Sequence, residues 1–137
     1  MDGVAWSLHG VGSNGSGRRR TGWASERVVH MAVVETETHG QILVVRMNRP
    51  ERLNALNYEM TNMLSEVWND FRESKDLEVA IFTGAGRAFC AGEDMKESLK
   101  DGEPGGRGPD REDPFWAGTL EKPVIGAING YAMGGGF

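Results

Sequence analysis

The chain has 137 residues, the length of one ordinary domain, so it can bury a single core and is too short for two. Its composition is 39% hydrophobic and 26% charged with a formal net charge of -5, which is typical of a globular protein in water and excludes the basic excess of nucleic-acid binders. The single cysteine excludes an internal disulfide framework and no apolar run reaches the about 20 residues that span a bilayer, so the sequence predicts a cytoplasmic protein that binds neither membrane nor nucleic acid.

The first 30 residues are the least patterned part of the chain. They mix glycine and serine with three consecutive arginines and show neither alternation nor a helical stripe, so we interpret residues 1–30 as a disordered N-terminal extension. The glycines argue against the amphipathic helix of a mitochondrial targeting peptide. Gly10, Gly12 and Gly15 match the dinucleotide-binding spacing, but no strand precedes them and no helix follows, so we reject that function.

From residue 31 the pattern predicts a hairpin and then a helix. The runs AVVETET and QILVVRM are joined by His39-Gly40 as a tight turn, and Pro50 ends the second strand because it lacks an N–H group. Asn57 has the position of an N-cap, and apolar residues follow it at helical spacing, which predicts an amphipathic helix over residues 58–74. The apolar stripe is interpreted as core and comprises Met60, Met63, Leu64, Val67, Trp68 and Phe71.

The second half alternates short apolar runs with glycine-rich segments. The run LEVAIFTG predicts a buried parallel strand, EDMKESLK a helix that begins near Glu93, and KPVIGAIN a further buried strand. Residues 101–113 are polar and rich in glycine and proline, which predicts a mobile surface loop. Strands that alternate with helices indicate an α/β fold. The acidic residues interpreted as solvated surface charges are Glu97, Glu103, Asp110 and Asp113.

Two of the apolar strands lead into glycine-lined turns at which a helix begins. One turn contains Ala91-Gly92 and the other contains Gly134, Gly135 and Gly136. The first N–H groups of a helix have no intrahelical partner and attract negative charge, so two such turns that face each other would form an oxyanion hole. A phosphate and the enolate oxygen of a thioester both fit such a site, and the residues alone do not decide between them. Each turn by itself is also explained as a simple reversal of the chain.

Three motifs, NRPERLNAL, GAGRAFCAGEDMKE and KPVIGAINGYAMGGG, resemble in order and spacing those of the crotonase superfamily, the enoyl-CoA hydratases and isomerases. The resemblance covers residues 32–137. It implies a ClpP/crotonase-like spiral of β-β-α units, with residues 31–137 as the N-terminal part of an acyl-CoA-binding domain, and a homotrimer or hexamer in the full-length parent. It also implies binding of an acyl-CoA thioester, with no metal and no cofactor besides the coenzyme A of the substrate.

By position, the resemblance assigns the two backbone N–H donors of the oxyanion hole to Glu93 and Gly135. The Glu93 side chain is expected to point outward, since a carboxylate beside a forming enolate would repel it. Lys96 and Arg52 are candidate partners for the CoA phosphates, although Lys96 equally fits a solvated lysine at a helix end, and Asp94 is interpreted first as a helix cap. The expected substrate and CoA contacts are Arg52, Ala91, Glu93, Asp94, Met95, Lys96, Gly134 and Gly135.

The resemblance further implies an N-terminal fragment. The hydratases use two glutamates as acid and base, and the first of them would stand just beyond Phe137. We therefore expect a parent enzyme that hydrates a 2-enoyl-CoA, with isomerisation, dehalogenation and thioester hydrolysis as open alternatives, and a fragment that is inactive and marginally stable. The alternative hypothesis is a non-catalytic product that at most binds CoA or docks on full-length subunits.

Overall fold

The computed structural model describes residues 27–30, 33–101 and 108–136, which form two sheets, two α-helices and two short 3-10 helices at Pro50–Arg52 and Gly134–Gly136. The strands are β1 (Arg27–His30), β2 (Val34–His39), β3 (Ile42–Met47), β4 (Val79–Gly84), β5 (Ala88–Cys90), β6 (Val124–Gly126) and β7 (Tyr131–Ala132). The helices are α1 (Tyr58–Glu73) and α2 (Met95–Asp101).

The two sheets show the repeat of the fold. The larger sheet has the order β1-β2-β3-β4-β6, in which β1, β2 and β3 are antiparallel neighbours and β3, β4 and β6 run parallel. β5 and β7 each follow a strand of the larger sheet and pair with each other in the smaller one. The unit β4-β5-α2 is thus followed by β6, β7 and a 3-10 turn at Gly134–Gly136, which confirms the predicted spiral of β-β-α units.

The hairpin and the first helix confirm the sequence prediction. Gly40 turns the chain between β2 and β3 with a φ of 58°, a conformation that glycine adopts at little cost. Helix α1 begins after Asn57, whose side chain accepts a hydrogen bond from the Met60 N–H at 3.0 Å. The helix ends at Glu73, one residue before the predicted end.

The apolar stripe of α1 forms the centre of the core. Trp68 and Phe71 are 1% and 0% exposed, and a fully buried phenylalanine contributes about 1.5–3 kcal/mol to folding. The Trp68 ring meets the Phe82 ring of β4 edge-on at 5.2 Å between centroids and stacks on Phe115 at 5.2 Å. This packing fixes the segment before β6 against α1, and that segment borders the candidate site described below.

Strand β1 corrects the predicted disorder of residues 1–30 for its last four residues. Arg27–His30 pair antiparallel with β2, in a register that places Val28 opposite Glu37. The physical reason is that the outer edge of a hairpin carries unpaired N–H and C=O groups, and the β-branched pair Val28-Val29 suits a strand there. Residues 1–26 lie outside the described residues.

Residues 108–113 contradict the predicted mobile loop because they are bonded to α1. The Ser65 hydroxyl donates to the Arg111 carbonyl at 2.9 Å, and the Asn69 side chain donates to the Glu112 carbonyl at 2.9 Å. The apolar spacing of α1 predicts its core face but not that its buried polar residues Ser65 and Asn69 bond the backbone carbonyls of this segment. Residues 102–107 lie outside the described residues.

The prediction that the acidic residues of this region are solvated surface charges is wrong for Asp113, which is buried, whereas Asp110 is exposed as predicted. Asp113 is 5% exposed, and Asp110 accepts a hydrogen bond from the Tyr58 hydroxyl at 2.7 Å. Glu97 is half-buried and accepts a hydrogen bond from the Tyr58 N–H at 3.1 Å. The start of α1 supplies these donors, and its proximity does not follow from local sequence. Glu103 lies outside the described residues.

Strand β6 forms as predicted but is not buried. Ile125 is 57% exposed, and Ile128 and Tyr131 beyond it are 55% and 56% exposed. β6 is an edge strand paired with β4, and within the described part of the chain these apolar side chains are left uncovered. The region therefore presents an apolar surface to solvent.

Candidate functional site

The two glycine-lined turns lie against each other. A Cβ atom added to Gly92 would stand 3.4 Å from the backbone nitrogen of Gly135 and 2.7 Å from the Met133 carbonyl oxygen. The Met133 N–H donates to the Cys90 carbonyl at 3.0 Å, which ties the second turn to the end of β5. The structure therefore brings together the two turns that the sequence analysis singled out, with Glu93 directly after Gly92.

Backbone hydrogen bonds orient the first turn. The Leu56 N–H donates to the Gly92 carbonyl at 2.7 Å, and the Asp94 N–H donates to the Leu56 carbonyl at 2.8 Å. Successive N–H groups of an extended chain point to opposite sides, so the Glu93 N–H points away from Leu56. Among the turn and loop hydrogen bonds of the described residues, neither Glu93 nor Gly135 acts as a backbone donor.

A nearly buried ion pair locks this turn to the segment before α1. The Arg49 guanidinium donates to the Ala55 carbonyl at 2.6 Å and to the Asp94 carboxylate at 3.0 Å, and the two charged side chains are only 13% and 11% exposed. Asp94 also accepts a hydrogen bond from the Lys96 N–H at 3.2 Å, as expected of a helix cap. Helix α2 accordingly begins at Met95, two residues after Glu93.

Asn54 holds the same segment from the other side. It is 0% exposed, and its side-chain oxygen accepts from the Arg49 N–H at 2.9 Å. Its amide donates to the carbonyls of Ala85 and Ala88 at 2.9 and 2.8 Å. The roles of Asn54 and Arg49 were not predicted from the sequence, although both residues stand inside the motif NRPERLNAL. Polar residues between a strand and a helix were the one local feature that could have indicated a structural role.

Two pockets meet at Gly135. A pocket of about 640 Å³ is lined by Glu93, Asp94 and Gly135 together with polar side chains of α1 and α2. A second pocket, of about 350 Å³, is lined mainly by apolar core side chains. Leu56, Trp116 and Gly135 line both. This junction suits a ligand that has a polar and an apolar part.

The Glu93 side chain departs from the expected outward direction. The Ser98 hydroxyl donates to its carboxylate, and Glu93 is half-buried at the pocket wall. The cause is a serine one turn into α2 that offers a donor, which the sequence analysis did not consider. This contact engages one carboxylate oxygen beside the proposed oxyanion hole.

Of the other predicted contacts, three lie at the two turns and three lie away from both pockets. Asp94 lines the larger pocket, and Gly134 contacts Gly92, because a Cβ added to Gly134 would stand 3.8 Å from the Gly92 Cα. Ala91 donates its N–H to the Leu53 carbonyl at 3.0 Å. The three that lie exposed and outside both pockets are Arg52, Met95 and Lys96.

Asp113 and Trp116 also line the larger pocket, in roles that were not predicted from the sequence. Asp113 accepts hydrogen bonds from the N–H groups of Phe115 and Trp116 at 2.8 and 3.2 Å, and Trp116 reaches Gly135, whose added Cβ would stand 3.8 Å from the indole. The pattern of an aspartate followed by a proline is typical of the start of a turn and could have indicated that Asp113 caps one. This cap positions the indole between the two pockets.

A sequence profile of known proteins gives the family. The profile described as enoyl-CoA hydratase/isomerase matches residues 37–137, which is most of the chain. The chain belongs to the enoyl-CoA hydratase/isomerase family. The matched residues include both turns of the candidate site.

Curated relatives agree with this family. The chain is 41% identical over 115 residues to (E)-benzylidenesuccinyl-CoA hydratase of Thauera aromatica, covering 75% of this chain and 41% of the relative. It is 40% identical over 121 residues to an enoyl-CoA hydratase of Mycobacterium tuberculosis, covering 77% and 44%. The chain thus spans less than half the length of these hydratase relatives.

Solved structures of the enoyl-CoA hydratase/isomerase family share the fold. A probable enoyl-CoA hydratase/isomerase from Mycobacterium abscessus superposes with a TM-score of 0.66 at 36% identity, covering 78% of this chain and 41% of that one. A carnitinyl-CoA dehydratase from Mycobacterium avium gives a TM-score of 0.64 at 33% identity, covering 76% and 42%. The mixed sheet and its β-β-α repeat are therefore those of this family.

The described residues show neither a metal site nor a membrane-spanning helix. They contain no group of three or more histidine, cysteine, aspartate or glutamate side chains placed to hold a metal ion. No helix in the same part of this family member combines the length and apolar character needed to cross a membrane.

The acid response of the fold should reveal the environments of two carboxylates. Burial raises the pKa of Asp94, but the hydrogen bond and charge of Arg49, with the N–H groups of Lys96 and Glu97, outweigh it and lower the pKa. Burial raises the pKa of Asp113 more than two backbone N–H groups lower it. A lowered folded-state pKa gives stability that is present above the unfolded-state value, about 3.9, and is lost as pH falls through the folded-state pKa. A raised folded-state pKa has the opposite effect, so the stability that the group contributes increases as pH falls.

We therefore expect Asp94→Asn to be less stable than the wild type at neutral pH. Its stability should also fall less steeply as the pH is lowered, as measured by urea unfolding midpoints at a series of pH values. Asp113→Asn should steepen that loss, because protonation of Asp113 partly offsets it in the wild type. A profile for Asp94→Asn as steep as that of the wild type would contradict the first assignment, and a flattened profile for Asp113→Asn would contradict the second.

Proposed function

We propose that the chain binds an acyl-CoA thioester and stabilises the enolate of its carbonyl through the N–H groups of Glu93 and Gly135. The observation that carries this proposal is the contact of the two turns at Gly92 and Gly135, at a pocket of about 640 Å³. An enolate oxygen placed between the two N–H groups would meet donors fixed in advance by the fold, which is the arrangement that stabilises a developing charge most effectively.

The two pockets suggest how the ligand lies. A thioester has a polar CoA part and an acyl part, and Gly135 stands where the polar and the apolar pocket meet. We propose the thioester oxygen at this junction. The further proposed contacts to substrate and CoA are Arg52, Ala91, Asp94, Met95, Lys96 and Gly134.

The parent reaction that we propose is hydration of a 2-enoyl-CoA. The relatives named above include hydratases and a dehydratase, which supports addition or removal of water. This reaction needs an acid and a base in addition to the two N–H groups. We propose that sequence beyond residue 137 supplies them in a full-length trimer or hexamer, and that the chain itself binds the thioester without turnover.

A second candidate function is docking on full-length subunits without catalysis. The apolar surface of Ile125, Ile128 and Tyr131 favours it, because each side chain is more than half exposed. In that case CoA thioesters would bind weakly or not at all, so the experiment below also separates the two functions.

The decisive measurement is infrared difference spectroscopy of crotonyl-CoA labelled with ¹³C at the carbonyl, added to the purified chain. Two hydrogen bonds to the carbonyl should lower its stretching frequency relative to free thioester. Free coenzyme A and inorganic phosphate serve as competitors, since a phosphate site would be blocked by phosphate and give no carbonyl shift. Binding without a frequency shift would refute the oxyanion hole, and absence of binding would refute the proposed function as a whole.

A further inference from the structure

The peptide unit that carries the Glu93 N–H is held at its other end. The Gly92 carbonyl belongs to the same planar trans peptide and accepts the Leu56 N–H at 2.7 Å. In such a peptide the C=O and N–H bonds point in opposite directions, so the position of Leu56 fixes the direction of the Glu93 N–H. Gly92 has a φ of 89°, a region that glycine enters freely, so its own backbone preference does not set this direction.

Leu56 connects the two proposed donors of the oxyanion hole. It forms an isolated parallel bridge with Glu93, in which the Asp94 N–H donates to the Leu56 carbonyl at 2.8 Å. Its side chain lines both pockets, and a Cβ added to Gly135 would stand 3.8 Å from the Leu56 Cδ1. A displacement of Leu56 would therefore turn the first donor and move a side chain that borders the second.

Arg49 holds both sides of this bridge with one guanidinium. It donates to the Ala55 carbonyl, next to Leu56, at 2.6 Å, and to the Asp94 carboxylate, next to Glu93, at 3.0 Å. A guanidinium presents its donors in a rigid planar fork, so the two acceptors are kept at a fixed separation. The Arg49 side chain is 13% exposed and lines neither pocket, so its effect on a ligand is transmitted through these two bonds.

The backbone of Arg49 is itself anchored in the core. Its N–H donates to the Asn54 Oδ1 at 2.9 Å, and the Asn54 amide donates to the Ala88 carbonyl in β5 at 2.8 Å. Because Asn54 is 0% exposed, water does not compete for these bonds. The guanidinium therefore extends from a fixed point toward the bridge.

We infer that Arg49 is a positioning residue of the oxyanion hole, whose guanidinium holds Leu56 and Glu93 together and thereby aims the Glu93 N–H at the thioester oxygen. The inference deepens the proposed function and rests on it. Replacement of Arg49 leaves both N–H groups in the chain but lets one of them turn. A hydrogen bond weakens steeply once its donor angle falls below about 120°, so a modest rotation of the peptide removes most of it.

The test measures two quantities for crotonyl-CoA labelled with ¹³C at the carbonyl and bound to the 137-residue chain. These are the carbonyl stretching frequency at saturation and the affinity by calorimetric titration. Arg49→Lys keeps the positive charge beside Asp94 but replaces the fork by a single ammonium group. We expect it to lose about half of the frequency shift, because one of two donors is misaligned, and to bind about fivefold more weakly.

Asp94→Ser releases the guanidinium from the other side of the bridge. A serine hydroxyl still caps α2 by accepting the Lys96 N–H, but it is too short to reach Arg49. The same partial loss of the frequency shift is expected. Because Asp94 also lines the larger pocket, the frequency and not the affinity decides for this variant. If the lysine variant does not fold, Asp94→Ser carries the test.

Val45→Ala separates positioning from a general loss of stability. Val45 is 0% exposed, lies in β3 and lines neither pocket, so its truncation weakens the core outside the candidate site. Under conditions in which it is folded, this variant should keep the full shift and affinity. An unchanged shift in folded Arg49→Lys, or an equal loss in Val45→Ala, overturns the inference and leaves the proposed function standing. A wild-type chain that binds the thioester without a shift overturns both.

Discussion

Gly135→Ala should leave the chain folded and weaken its binding of acyl-CoA by about 30-fold, the loss of two hydrogen bonds of about 1 kcal/mol each. An alanine Cβ at this position would have ordinary contacts of 3.8 Å with Leu56 and Trp116, so the fold accommodates it. The methyl group would, however, occupy the junction of the two pockets, where we place the thioester oxygen. Calorimetric titration with crotonyl-CoA measures the loss, and thermal unfolding checks the fold.

Gly136→Ala is the matched contrast. Its Cβ would stand 2.4 Å from the Cys90 carbonyl oxygen and 2.6 Å from the Cys90 Cβ, distances that the backbone can relieve only by moving. This variant should therefore lose stability, whereas Gly135→Ala should lose affinity. A Gly135→Ala chain that binds crotonyl-CoA as tightly as the wild type, with the carbonyl frequency still lowered, would show that the ligand lies elsewhere.

Arg49→Met should lower the free energy of unfolding by about 3–5 kcal/mol, because it leaves a nearly buried carboxylate without its countercharge. Asp94 and Arg49 are only 11% and 13% exposed, and the Arg49 guanidinium also bonds the Ala55 carbonyl. Urea denaturation followed by circular dichroism measures the change.

Two further variants test whether the buried charge is the cause. Adding Asp94→Asn to Arg49→Met should restore part of the loss, since asparagine keeps the cap of α2 and removes the unpaired charge. Arg46→Met breaks a more exposed pair with Glu35, 3.3 Å apart, and should cost less than about 1 kcal/mol. Equal costs for the two single variants would contradict a special role for the Arg49–Asp94 pair.

Local sequence predicted the parts of the fold that short-range physics determines. The cap at Asn57 and the 3.6-residue spacing of apolar side chains predicted α1 to within one residue, and Gly40 marked the hairpin turn. The two glycine-lined turns were also recognised as a pair. The assignment of one oxyanion donor to each turn, Glu93 and Gly135, came from the family resemblance and not from periodicity.

The polar supports of the site could not be predicted because their partners lie far away in the chain. Asn54 bonds carbonyls 31 and 34 residues further on, and no pattern in NRPERLNAL points to β5. Asp113 was interpreted as a surface charge because its segment is polar. Its burial depends on Ser65 and Asn69 of α1, which bond the backbone just before it.

The bonds of Asn54 have a consequence for the order of folding. The hairpin of β2 and β3 and the helix α1 rest on contacts between near neighbours in the chain, which close quickly. The Asn54 amide can find its two acceptors only after the chain has passed through α1 and β4 and returned. Strand β7, which leads into the second turn, must then pair with β5. We therefore expect the oxyanion hole to assemble last. The hydrogen-bonded amides that hold its two turns, those of Asp94 and Met133, should then exchange with solvent deuterium sooner than those of the hairpin.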